Sequence, residues 1–103
     1  MAQDRMKIAF IFVGPGADPR KHRATISLES VDMMVIGVGD YDQAVEVSRS
    51  LAKDGISAIE LCGGFGNLGV ARVSEAVKGI PVGAVKFDAH PLLECKSGDQ
   101  VFG

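Results

Sequence analysis

The chain has 103 residues, 47% of them apolar and 23% charged, a size and balance that suit one globular domain around a single core. Its net charge of −2 excludes the broad basic footprint of a nucleic-acid binder, and no apolar run reaches the ~18 residues needed to span a bilayer. The opening Met1-Ala2-Gln3-Asp4-Arg5 lacks the charged-then-apolar layout of a secretory signal, so a cytoplasmic protein is expected, with Cys62 and Cys95 as free thiols.

Taken in order, Lys7 to Val13 (KIAFIFV) reads as a strand covered on both faces. It ends at Gly14-Pro15-Gly16, a turn signal. Asp18 before Pro19 reads as an N-cap and first-turn proline, predicting a brief helix from Pro19 to about Ala24. Thr25 to Ser30 has extended character. Asp32 to Val38 (DMMVIGV) is the next strand. Asp40 caps a long helix, with Gln43 completing a capping-box-like pair, and Gly55 stops it. Tyr41, Ala44, Val45, Leu51 and Ala52 keep helical spacing along its apolar face.

Ile56 to Leu61 follows as a strand. Asn67 is placed to cap a second long helix, with Val70, Val73 and Val77 inward and Lys78-Gly79 at its end. Pro81 to Phe87 (PVGAVKF) is the last strand. Residues 1–6 read as a flexible lead, and residues 89–103 as a C-terminal arm too polar for a core helix, whose Leu92, Leu93, Val101 and Phe102 need a surface to rest on.

Strands alternating with helices predict an α/β fold with a mostly parallel, four-stranded sheet, flavodoxin-like or half-barrel-like in its βαβ units. In the order 2-1-3-4 the first strand is central, and right-handed crossovers put both long helices on one face. The other face is then nearly bare. Either the arm or another subunit must cover it, and a homo-oligomer, dimer or larger, is expected. In the last two strands the odd positions Ile59, Leu61, Val85 and Phe87 are bulky, so they are assigned to the helix side; Ala58, Glu60, Ala84 and Lys86 fall on the thin side.

The densest cluster of signals is Cys62-Gly63-Gly64-Phe65-Gly66-Asn67, where a strand runs into a helix. In this topology it neighbours the loop of Gly14 and Gly16 at the switch point, where open α/β sheets bind ligands. Glycines allow a close backbone approach, and helix-start N–H groups favour an anion. A small anionic ligand, phosphate or carboxylate, is therefore expected at Gly14, Gly16, Cys62, Gly63, Gly64, Phe65, Gly66 and Asn67. The stretch is neither a Walker loop nor GxGxxG, and a tight turn that only packs strand against helix is the plainer alternative.

Four residues are candidates for acid/base chemistry in a lyase- or isomerase-type enzyme. Glu60 and Lys86 fall side by side if Ile56 lies beside Val82, and Asp88 and His90 follow the last strand at the edge where α/β enzymes keep catalytic groups. A structural ion pair is the competing reading of Glu60 and Lys86. Cys62 near a helix start is a possible nucleophile, though free cysteine is usually inert. His22 lies in the basic turn Arg20-Lys21-His22-Arg23, which reads as a solvated face. No spacing among His22, His90, Asp88 and the cysteines supports a metal site, and no motif names a cofactor. A purely structural oligomer subunit is the third functional class.

The combination of KIAFIFV, AIELCGGFGN and VGAVKFDAH resembles a small family of uncharacterised bacterial single-domain proteins, over nearly the whole chain. That resemblance implies no activity. More loosely, Asp54 to Leu61 is similar to strand openings in (β/α)8 barrels that handle sugar phosphates, although a full barrel needs about 250 residues.

Overall fold

A computed structural model describes residues 5–103. Most of the expected lead, residues 1–4, lies outside the described residues. Met6 already belongs to a strand.

Five strands form one sheet: β1 (Met6–Val13), β2 (Arg23–Ser27), β3 (Val31–Val38), β4 (Ala58–Leu61) and β5 (Val82–Ala84), in the order β2-β3-β1-β4-β5. The four expected strands pair in the expected order, all parallel, with β1 at the centre. The fifth is β2, antiparallel to β3 at the edge. It replaces the helix expected from Pro19. Asp18 does begin a turn: its carbonyl accepts the Lys21 and His22 N–H groups, and its carboxylate accepts from Arg20. One turn is all that forms, because Arg23 to Ser27 pair with Asp32 to Ile36 and that pairing requires extended backbone.

Two helices, α1 (Tyr41–Lys53) and α2 (Asn67–Ala76), pack against each other over the sheet. Asp40 caps α1 by accepting the Gln43 N–H at 2.8 Å, while the Gln43 amide oxygen takes the Gly39 N–H at 2.7 Å. This is the capping box shifted by one residue. Gly55, at φ +87°, turns the chain away from α1, a conformation that favours glycine. The α2 start differs from expectation. Gly66 is its N-cap and Asn67 its first helical residue, with no side-chain cap from Gly66 itself.

The core lies between helices and sheet. Ala9, Ile11, Ile36, Val38, Ile59 and Leu61 point toward Tyr41, Ala44, Leu51 and Val73, and all are buried. In β5 the parity is the reverse of the one expected. Val82 pairs with Ile59 and Ala84 with Leu61, so even positions face the helices, while Val85 and Phe87 are 49% and 38% exposed. The cause is register. The turn through Gly79 (φ +91°), Ile80 and Pro81 brings Val82 to Ile59 rather than to Ile56.

The opposite face follows from the ladders. Neighbouring residues across the strands form rows: Ile26, Met33, Ile8 and Ala58; then Ala24, Val35, Phe10, Glu60 and Gly83. Above them Phe12 leans over Gly37, where a Cβ would lie 2.4 Å from the ring. Among the described residues no helix packs on these rows. Ile8, Phe10, Phe12, Met33 and Val35 are half-buried, and Ile26 is 58% exposed.

Candidate functional site

The glycine loop leaves β4 at Leu61 and enters α2 at Asn67. Its Phe65 is buried and stacks on Tyr41, the first residue of α1, with ring centroids 5.5 Å apart. The N–H groups of the α2 start do converge on an anion. That anion is Asp99, thirty residues further along the chain. Its carboxylate accepts from Leu68 N–H at 2.9 Å, from Gly69 N–H at 3.0 Å and from the Tyr41 hydroxyl at 2.8 Å. The same hydroxyl accepts the Gly66 N–H at 2.9 Å. A carboxylate at a helix N-terminus satisfies orphan donors and opposes the positive end of the dipole.

The ionisation of both groups reflects this. Burial pushes the Tyr41 hydroxyl up to about 12, with the neighbouring Asp99 charge acting in the same direction. Burial also tends to raise Asp99, but the bonds from Leu68, Tyr41 and Gly69 outweigh it and hold the carboxyl below the usual range.

Asp99 is delivered by the arm. A 3-10 turn (Pro91–Leu93) leads into α3 (Gly98–Phe102), where Ser97 and Gln100 form a reciprocal capping box. Phe102 packs on Tyr41 at 5.9 Å. The glycines give the contact its closeness. A Cβ on Gly98 would lie 1.8 Å from the Gly64 carbonyl oxygen, one on Gly66 2.4 Å from the Asp99 carboxylate carbon, and one on Gly69 2.5 Å from the Tyr41 ring. Gly63 makes room for Phe87 and His90 in the same way. The space these glycines open is taken by the protein's own atoms.

The structure brings Cys62, Gly63, Gly64, Phe65 and Gly66 together in a packed loop, while Asn67 is exposed at its rim. The loop touches the end of β1, since a Cβ on Gly64 would lie 3.0 Å from Val13. Gly14 and Gly16 sit beyond that strand end with open space where a Cβ would be, beside a shallow hollow of about 300 Å3 lined by Phe12, Pro15, Ala17 and His22.

The acid/base candidates do not converge. Glu60 lies opposite Gly83 on the open sheet face, exposed to solvent. Lys86 is bonded to Asp88, and that bond lowers the Asp88 carboxyl from its ordinary value. The His90 ring rests on Phe87 at 4.5 Å, and its Nδ1 accepts the Leu92 N–H. His22 Nδ1 accepts the Asp18 N–H, which closes the basic turn. Among the described residues no three His, Cys, Asp or Glu side chains group as metal ligands, and no helix is long and apolar enough to cross a membrane. Both cysteines are free thiols.

Asp99 and Tyr41 are the residues that reading the sequence missed. One local signal was available: Ser97-Gly98-Asp99-Gln100 has capping-box spacing, which predicts a helix start in the arm.

Fold and loop together define an α/β protein with helices on one side of a mostly parallel sheet and a helix start closed by its own carboxylate. The chain belongs to a family of unknown function, DUF6506, whose profile matches residues 6–100. No curated protein and no solved structure matches it.

Proposed function

We propose that this protein works as an assembly subunit and that its working surface is the open face of the sheet. One observation carries the reading: five large apolar side chains, Ile8, Phe10, Phe12, Met33 and Val35, lie on a sheet face over which, among the described residues, neither helix nor arm packs. Contiguous apolar patches of this kind mark interaction sites. The anchors of the arm, Asp99 on α2 and Phe102 on Tyr41, are on the helix side. The test uses the full chain in its own cells. Wild type should fractionate in native lysate above the 10.8 kDa of one chain, and Phe10→Glu/Val35→Lys at the single-chain size with unchanged helicity. If both run as single chains, the reading fails.

A second reading keeps the glycine loop as a site for a small phosphate or carboxylate. It is supported by the carboxylate already there, which such a ligand would have to displace from Leu68 and Gly69. A ligand at about 100 times its Kd stabilises by roughly 2.7 kcal/mol, a shift on the order of ten degrees for a chain of this size. Asp99→Asn should enlarge the shift seen with inorganic phosphate or small carboxylates. A flat panel with both proteins would dismiss this reading.

A further inference from the structure

On the helix side of the sheet, at the end away from the glycine loop, lies a cavity of about 210 Å3. Lys7 and Asp32, each second in its strand and paired in register, bring the amino ends of β1 and β3 to it. α1 lies over these two strands and ends beside the cavity, with Asp54 as its C-cap. Strand parity selects the lining. Lys7 shares the helix side with Ala9 and Ile11, and Asp32 with Met34 and Ile36, while Thr25 lies beside Met34, as alternation requires.

The lining divides by chemistry. Leu51 and Ile56 are buried and Met34 is half-buried, whereas Lys7, Thr25 and Asp54 are exposed. Small-molecule sites have this build, an apolar floor with a few polar groups that fix orientation. Asp32 is already engaged. Its carboxylate accepts from Arg5 at 2.5 Å, and Arg5 also donates to the carbonyls of Leu28 and Glu29, fastening the β2–β3 turn. Lys7 and Asp54 enter no ion pair among the described residues. The cavity therefore offers one ammonium, one carboxylate and an apolar floor.

That combination selects its ligand. A hydrocarbon would leave both charges unmatched. A simple carboxylate or amine would meet one charge and be repelled by the other. A zwitterion with a hydrocarbon side chain answers all three surfaces. Size sets a further limit: at about 30 Å3 per liquid water, the cavity holds the bulk of roughly seven, which suits a ligand of under about ten non-hydrogen atoms. A smaller hollow of about 150 Å3 adjoins it, sharing Met34, Leu51 and Asp54 and adding Ile36, Val47 and Arg23. It leaves room for a longer side chain, and Arg23 has the sign that suits a carboxylate.

We propose that this cavity binds a small apolar α-amino acid, with its carboxylate toward Lys7, its ammonium toward Asp54 and its side chain on Met34, Leu51 and Ile56. The site is independent of the assembly reading, because a partner on the open face leaves the helix side free.

The test titrates methyl-labelled full chain with valine, leucine and methionine, followed by NMR. Isocaproate and isoamylamine, which are leucine without its ammonium and without its carboxylate, serve as half-ligands. The methyl signals of Met34, Leu51 and Ile56 should shift and saturate with at least one amino acid below about 10 mM. Each half-ligand should bind at least about tenfold more weakly, the worth of one charge-assisted contact. Lys7→Met and Asp54→Asn should each weaken the amino acid by a similar factor, and Asp54→Asn should tighten isocaproate. No saturable shift at these methyls with any of the three amino acids overturns the proposal. So does a half-ligand that binds as tightly as leucine, or amino-acid binding unmoved by both substitutions. The first two results need wild type alone, so a variant that fails to fold leaves the test standing.

Discussion

Replacing Asp99 tests whether the C-terminal arm is a structural part of the helix start. In Asp99→Ala the N–H groups of Leu68 and Gly69 and the Tyr41 hydroxyl lose their acceptor together. Loss of an N-cap costs about 1 kcal/mol, loss of a negative charge at a helix start about 0.5 kcal/mol, and a hydroxyl left without its acceptor about 1 kcal/mol. The total is near 2.5 kcal/mol, and at about 4–8 °C per kcal/mol it lowers the melting midpoint by roughly 10–20 °C. Asp99→Asn keeps one oxygen acceptor and should lose about half as much. Thermal denaturation at neutral pH measures both, with amide exchange at Leu68 and Gly69 as the local readout. A midpoint for Asp99→Ala within about 3 °C of wild type, with Leu68 still protected, would refute the reasoning.

The same group sets a pH dependence of known sign. The Asp99 carboxyl is held below its ordinary value in the folded chain. Its contribution is therefore present above the unfolded carboxyl pKa of about 3.9 and is lost as pH falls through the lower folded value. The difference in midpoint between wild type and Asp99→Asn should be constant through neutral pH and shrink only below about pH 4. A difference that fades already between pH 6 and 7 would assign the effect to another group.

Two further substitutions test features away from the loop. Glu94 and Cys95 stand at φ 57° and 59° in a turn closed by Lys96 N–H to the Leu93 carbonyl, a shape in which glycine belongs at the second position. Cys95→Gly should raise stability by about 0.5–1 kcal/mol, read from the thermal midpoint; a loss would show that the cysteine side chain has a packing role. Ser48 is fully buried in α1, and its hydroxyl has no hydrogen-bond partner. Ser48→Ala should therefore be neutral or stabilising by up to about 1 kcal/mol in a urea titration, and a destabilisation of that size would mean that the hydroxyl is bonded in solution.

Much of the fold was legible because its signals are local. Apolar runs ending in glycine marked β1, β3 and β4, Asp40 and Gly55 bracketed α1, the flavodoxin-like pattern ordered the strands, and crossover handedness put both long helices on one face. β2 was obscure for a physical reason. Arg-Ala-Thr-Ile-Ser is exposed throughout, so it shows neither a buried run nor a polar face, and its extended state comes from pairing with β3. The Glu60–Lys86 pairing failed on register, which the three residues Gly79 to Pro81 set and which no side-chain pattern displayed. The loop teaches something finer. A glycine records that something comes close, without recording what. At Gly66 and Gly98 it is the arm itself, and Asp99 is too distant in sequence for any spacing rule to connect the two.

That distinction also decides where function is best sought. The converging donors of the α2 start have a carboxylate, and the glycines around it have neighbours, so that end of the sheet is chemically complete within one chain. The open face is the reverse case. Had the arm served to cover the sheet, its apolar residues would lie across Phe10 and Val35. Phe102 instead goes to Tyr41, and Leu92 stays 87% exposed. One buried and one solvated face is ordinary for an antiparallel sheet whose outer side chains are polar. Here the sheet is mostly parallel and its outer rows are phenylalanine, isoleucine, methionine and valine. Parallel sheets are found with both faces covered, and among the described residues this one has a single cover. A partner on that face, as the assembly reading proposes, would supply the second.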